Sequence, residues 1–169
     1  MLVKKKKAKA VATPIRLDLG CGINKREGFL GVDIRAFDGK VDVVFDLTKR
    51  WQWKDGSVEE ANCSHFLEHL IADQRVHFVN ELYRVLKPGG KCTLITPYWA
   101  SMRAYGDMTH QWPPVSEFWF YYVSKAWRAG SVGVRSMRPR GFSGMSQRGS
   151  QRNAGFGVAP SLVMAMDCS

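Results

Sequence analysis

Leu17-Asp18-Leu19-Gly20-Cys21-Gly22 is the stretch that decides the fold. It closes an apolar run, Ile15 to Leu19, that carries one carboxylate and opens into two glycines one residue apart. A buried parallel strand opens in this way into a loop whose backbone comes very close to a ligand. Glycine permits both the turn and the approach because it has no Cβ. Asp33 follows eleven residues after Gly22, within Gly31-Val32-Asp33-Ile34, a second apolar segment with one acid near its end. A strand, a glycine turn and an acid ending the next strand make a nucleoside site, the acid accepting from ribose hydroxyls. The same residues also describe an ordinary strand-to-helix turn, so the decision rests on the blocks further along the chain.

Asp46-Leu47 comes next, then His65-Phe66-Leu67-Glu68-His69-Leu70, then Leu82-Tyr83-Arg84-Val85-Leu86-Lys87-Pro88-Gly89-Gly90. In this order the blocks resemble the class I S-adenosylmethionine-dependent methyltransferases, the Rossmann-like family. The resemblance covers residues 15 to 100 and, in its loosest form, reaches 127. It implies an α/β fold with a mostly parallel, Rossmann-like sheet, S-adenosylmethionine as cofactor, and methyl transfer as the activity. It also implies roles. Gly20, Cys21 and Gly22 would offer backbone to the methionine half of the cofactor, with Asp18 near its ammonium. Asp33, followed by Ile34, would take the ribose diol. Asp46 would accept from the adenine amine and Leu47 would pack on the ring. Ser64 and His65 would pass the methyl-bearing end. For Asp33 the competing reading is a turn cap, and for Asp46 a strand-end cap is equally well supported.

Bulk composition narrows the class. A chain of 169 residues is most simply one domain with a real core. No apolar run approaches the roughly 20 residues that cross a bilayer. Met1-Leu2-Val3-Lys4-Lys5-Lys6-Lys7 has charge without a following apolar stretch, so the expectation is a cytoplasmic protein. Cys21, Cys63, Cys92 and Cys168 show no metal-like pairing and read as buried thiols. The net charge of +10 is carried by the ends: five lysines in residues 1–10, and six arginines against Asp167 in residues 128–169. The segment between them balances, which disfavours a nucleic-acid groove in the domain itself.

The pattern predicts strands at Ile15–Leu19, Phe29–Ile34, Val41–Asp46, Val58–Cys63 and Lys91–Thr96. Glu59-Glu60-Ala61-Asn62 is poor strand material, so the fourth strand rests on the family pattern. Asp73 suits the cap of a helix with Val76, Val79, Leu82, Tyr83 and Leu86 on one face. Only Gly20 to Gly28 and Arg35 to Lys40 are left for the first two crossovers, too few for full helices. The expectation is therefore shortened early crossovers. After an aromatic-rich stretch, the chain past Arg128 turns to Gly, Ser, Arg and Met without a period, Val158 to Met166 excepted. The division expected is a basic disordered arm over 1–13, a methyltransferase-like domain over 14–127, and a low-order basic tail over 128–169. That tail is expected to be non-native or truncated, with the family's last strands missing or atypical.

On the acceptor side, Asp107-Met108-Thr109-His110 resembles a segment that borders the acceptor pocket in some small methyltransferases. His110 or Asp107 is the candidate general base, against a plain turn in which Asp107 and Thr109 cap backbone amides. His65 and His69 have helical ligand spacing but no third ligand in sequence, so no metal is expected. Thr96-Pro97-Tyr98-Trp99 lacks the amide that would hold a flipped base, which leaves a small-molecule or glycan acceptor. The alternatives are a nucleic-acid binder on this scaffold, or a catalytically silent, truncated methyltransferase.

Overall fold

The computed structural model of the chain describes residues 13–123, 145–147 and 161–167. Five parallel strands form the centre of the sheet: Ile15–Leu19 (β1), Leu30–Asp33 (β2), Val43–Val44 (β3), Val58–Ser64 (β4) and Leu86–Pro97 (β5). Met145–Gln147 (β6) and Ser161–Asp167 (β7) extend it antiparallel beside β5, in the order β3-β2-β1-β4-β5-β7-β6. The helices are Ala72–Val85 (α1), Met102–Tyr105 (α2) and Glu117–Val123 (α3). This is the Rossmann-like architecture expected. Of the two forms expected for the C-terminal strands, missing or atypical, the second is found: both are present and paired, and β6 is only three residues long. The apolar run of β7 docks its backbone on the free edge of β5, although the surrounding Gly, Ser and Arg carry no strand period. The basic arm and most of the tail lie outside the described residues.

Each strand is set by alternation. Leu17 and Leu19 of β1 align with Leu30 and Val32 of β2 and with Ala61 and Cys63 of β4, making one apolar face. Phe78, Val79, Leu82 and Val85 of α1 join that face in a single core, each fully buried. Trp51 and Trp53 extend it, Trp51 lying edge-on to Phe78 with ring centroids 5.3 Å apart. The opposite face carries Arg16, Asp18, Glu60 and Asn62. This is why β4 forms despite its two glutamates: Glu60 faces Arg16 at 3.8 Å while Ala61 and Cys63 fill the core.

The early crossovers are as short as expected. Residues 20–29 hold no helix, and a single 3₁₀ turn, Phe37–Gly39, separates β2 from β3. Several boundaries differ from the sequence reading. β2 is shorter by a residue at each end, and β4 runs one residue further. β5 begins at Leu86, five residues before the expected Lys91, so Leu86 opens the strand instead of closing the helix face. β3 keeps only Val43–Val44, because the acids flanking it are used elsewhere. Asp42 Oδ2 accepts from the Gly31 amide at 2.7 Å, and Asp46 starts a turn by accepting from the amide and hydroxyl of Thr48. The cap position of α1 is Ile71 rather than Asp73; Gln74 Oε1 accepts from the Ile71 amide at 3.2 Å. The buried stripe of α1 is consequently rotated toward Arg75, Phe78 and Val85, with Val76 and Tyr83 only half-buried. Cys21, Cys63 and Cys92 are buried free thiols, as expected; Cys168 lies outside the described residues. No helix among the described residues is long and apolar enough to cross a membrane.

Candidate functional site

The strand order reverses between β1 and β4, and the C-terminal ends of these two strands flank the crevice where such sheets bind ligands. Leu19 of β1 aligns with Cys63 of β4, so the loop Gly20–Gly22 lies beside the loop that begins at Ser64. The first loop is held from below. Gly20 and Cys21 donate their amides to the Val32 carbonyl at 2.8 and 3.2 Å, and Gly22 donates to Asp33 Oδ2 at 3.0 Å. Both glycines have positive φ, +66° at Gly20 and +52° at Gly22. A Cβ on Gly20 would sit 2.6 Å from the Phe66 ring, whereas one on Gly22 would meet nothing within 4 Å. The open space above Gly22 is what a ligand hugging this backbone requires.

The structure brings the acids into distinct settings. Asp18 is 3 % exposed, with Oδ2 accepting from the Arg26 amide and Oδ1 from Asn62 Nδ2, each at 2.6 Å. Its carboxylate anchors residues 20–29 to the sheet. Asp33 is half-buried, taking the Gly22 amide on Oδ2 and the Arg35 amide on Oδ1 at 3.1 Å. A carboxylate has about four lone-pair sites, so two directions remain for a diol. Asp46 is half-buried, and the Thr48 hydroxyl and amide hold its carboxyl below the usual carboxylate range. Leu47 is buried in the core beneath it, its carbonyl accepting from Trp51 Nε1 at 3.0 Å, while Ile34 is 62 % exposed. Burial, with Asp18 and Asp33 nearby, pushes the Cys21 thiol up to about 11, so it stays protonated and contributes only backbone and bulk.

Beyond Ser64 the chain turns at His65, which adopts the left-handed φ of +55°. His65 Nδ1 lies 3.1 Å from Glu68 Oε1. Here a second cavity of about 700 Å³ opens, lined among others by His65, Glu68, His69, Arg103, Asp107 and His110. His110 Nδ1 donates to the Ala104 carbonyl at 3.2 Å, and Asp107 Oδ1 accepts from the amide and hydroxyl of Thr109. Those two bonds hold the Asp107 carboxyl below its ordinary value. The turn expected of Asp107 and Thr109 is thus present, and it coexists with placement of Asp107 and His110 on the cavity wall.

The residue that assembles this wall is Arg75, which the apolar periodicity does not mark. It is 2 % exposed. Its guanidinium donates to the carbonyls of Leu67 (3.2 Å), Glu68 (3.4 Å), Gln111 (3.0 Å) and Pro113 (2.6 Å), and Gln111 returns its amide to the Glu68 carbonyl at 2.8 Å. This clamp ties residues 111–113 to the turn Leu67–His69 and carries His110 against His69, ring centroids 4.8 Å apart. An arginine inside an otherwise apolar helical stripe was the available signal.

Residues 17–94 match the family model described as a methyltransferase domain. No curated protein sequence matches the chain. Solved structures share the fold. A SAM-dependent methyltransferase from Archaeoglobus fulgidus is 17 % identical over 92 % of this chain and 86 % of its own, with a TM-score of 0.66. A SAM-dependent methyltransferase from Methanosarcina mazei is also 17 % identical, covering 90 % and 91 %, with a TM-score of 0.56. The 1,6-didemethyltoxoflavin-N1-methyltransferase of Burkholderia thailandensis, solved with that substrate and S-adenosylhomocysteine, is 16 % identical over 92 % and 72 %, TM-score 0.57. At these identities the likeness is one of fold.

Proposed function

We propose, from the premise that this chain belongs to the class I, Rossmann-like family of S-adenosylmethionine-dependent methyltransferases, that it transfers a methyl group to a small-molecule or glycan acceptor. The observation that carries the reading is the pairing of Gly22 with Asp33: a glycine with clear space at its Cα, its amide fixed at 3.0 Å on a half-buried carboxylate at the switch point of the sheet. The cofactor fits this crevice because the space above Gly22 is clear and Asp33 has acceptor capacity to spare. Gly20, Cys21 and Gly22 present backbone to its amino-acid portion. Asp33 takes the ribose hydroxyls, with Ile34 exposed beside it. Asp46 and the backbone at Leu47 border the base, and Ser64 and His65 border the reactive end. Asp18 serves the ammonium indirectly, by fixing the loop that meets it.

The bound cofactor supplies a methyl group already activated on positive sulfur. The protein's share of the work is therefore orientation and the exclusion of water. His65, at the end of β4, lines the second cavity. That cavity receives the acceptor, and the cluster around Asp107 and His110 is where the acceptor's proton leaves. Trp99, Tyr105 and Trp112, all exposed on the segment beside it, offer the flat apolar surfaces on which sugar rings and heterocycles stack.

Incubating the protein with methyl-labelled S-adenosylmethionine and fractionated small-molecule and glycan extracts tests the reading. Label is expected in one acceptor class, with Asp33→Ala abolishing the transfer. Label that stays wholly in the donor across every fraction contradicts it.

A further inference from the structure

We propose that Glu68, His69 and His110 form a binding site for one divalent first-row transition cation at the floor of the second cavity. Sequence spacing pairs His65 with His69 and finds no third ligand. The fold makes a different set. One candidate ligand atom from each of Glu68, His69 and His110 lies within 4.8 Å of the others, close enough for a single ion to bridge them.

Three observations carry the site beyond mere proximity. First, Glu68 is 4 % exposed and its Oε2 has no hydrogen-bond partner, while Oε1 is taken by His65. An orphaned carboxylate oxygen inside a protein is costly unless a cation or donor meets it. Arg75 does not: four of its five N–H groups go to backbone carbonyls and none bonds Oε2.

Second, both imidazoles are oriented as ligands. His110 Nδ1 donates to the Ala104 carbonyl, which makes Nε2 the lone-pair nitrogen, with no hydrogen bond and Asp107 Oδ2 3.9 Å away. The Thr109 hydroxyl gives its proton to Asp107 Oδ1 at 2.7 Å, so at 2.9 Å it must accept from His69 Nδ1–H, which frees His69 Nε2 likewise. The chain from carboxylate through hydroxyl to imidazole is the outer support that holds a ligating histidine in one tautomer.

Third, the donor set is selective. Two imidazoles and one carboxylate suit zinc, iron(II), cobalt(II) or manganese(II) over magnesium, and three protein ligands leave positions open. Those positions face a cavity. The role we assign rests on the methyltransferase reading: the cation holds an oxygen of the acceptor and favours its deprotonated form, the proton passing to water. His110 is then a ligand rather than a free base. The cation site itself stands on geometry and is testable without that reading.

The test uses the full-length, untagged chain stripped with a chelator and titrated with Co²⁺, following its visible absorption, with Zn²⁺ and Mg²⁺ as competitors. One Co²⁺ per chain is expected, displaced by Zn²⁺ and not by equimolar Mg²⁺. Glu68→Gln and His110→Asn should each weaken binding at least tenfold. Thr109→Val, an exposed change that leaves the ligands in place, should weaken it about 10-fold through the loosened His69. This variant keeps the test decisive where the buried one misfolds. A parent that binds no Co²⁺, or variants that bind as the parent does, overturns the site. S-adenosylhomocysteine affinity is measured in parallel on the same samples. A parent that binds S-adenosylhomocysteine but no Co²⁺ sinks only the cation site. The reverse sinks only the methyltransferase reading.

Discussion

Gly20 and Gly22 share positive φ but are constrained by different neighbours, and substitution separates their roles. Alanine at Gly20 combines left-handed strain with a Cβ 2.6 Å from the Phe66 ring. It should cost about 3 kcal/mol of stability in urea denaturation. Alanine at Gly22 meets open space. It should cost only about 1 kcal/mol yet lower affinity for S-adenosylhomocysteine, because the added methyl stands where the ligand must approach. Asp18 is the opposite case. Its two 2.6 Å bonds leave buried donors stranded on truncation, so Asp18→Ala should lose about 2–4 kcal/mol. The sequence marked all three residues for the cofactor. It could not show that Asp18 faces Asn62 and Arg26, since the register between β1 and β4 brings up the first and the fold of the loop after β1 the second.

Among the elements, α1 reaches furthest into function. Its buried stripe includes Arg75, whose clamp on the carbonyls of residues 67, 68, 111 and 113 shapes the second cavity. Arg75→Met keeps most of the volume but removes four hydrogen bonds, taking from the Gln111 and Pro113 carbonyls the donor that holds them while Leu67 and Glu68 keep a backbone amide. Near-UV circular dichroism should register rearranged aromatic packing, with a loss of about 3 kcal/mol or more in denaturation. One turn further along, Glu81 and Arg84 bridge the helix to the Trp51–Asp55 connection, with Glu81 Oε2 accepting from the Trp51 amide at 2.6 Å and Arg84 reaching Asp55 at 2.7 Å. The Arg84 guanidinium, opposed by burial and aided by the Trp51 amide, holds the Glu81 carboxyl below its ordinary value. A depressed carboxyl pKa stabilises the fold above the unfolded value of about 4.3 and loses that contribution as pH falls through the folded value. The urea midpoint should therefore decline below about pH 4.5, and the decline should be shallower in Glu81→Gln. The same helix shows what periodicity conveys and what it misses. Val79 and Leu82 were legible as core, but the polar members of the stripe acquire partners only from distant loops.

At the scale of the molecule, β1 was readable to the residue because an unbroken apolar run met a glycine turn. The short crossovers were readable from chain length alone. β4 was not readable from propensity, since its glutamates are accommodated only by the polar face of the assembled sheet. β7 falls in the one stretch of the tail that stood out, Val158 to Met166, but its antiparallel place on β5's edge was not legible in the sequence. The crevice proposed for the cofactor was legible because it is built from consecutive residues at strand ends. The second cavity was not, because His69 and His110 meet only through the Arg75 clamp. The account's central claim is that the loop at Gly20–Gly22 and the carboxylate of Asp33 together make a nucleoside cofactor site. Calorimetric titration of the full chain with S-adenosylhomocysteine, repeated on Asp33→Ala, tests it most directly. The account predicts one ligand per chain and a loss of at least tenfold in affinity for the variant, with the fold retained. No binding to the parent, or equal binding to both, would contradict it.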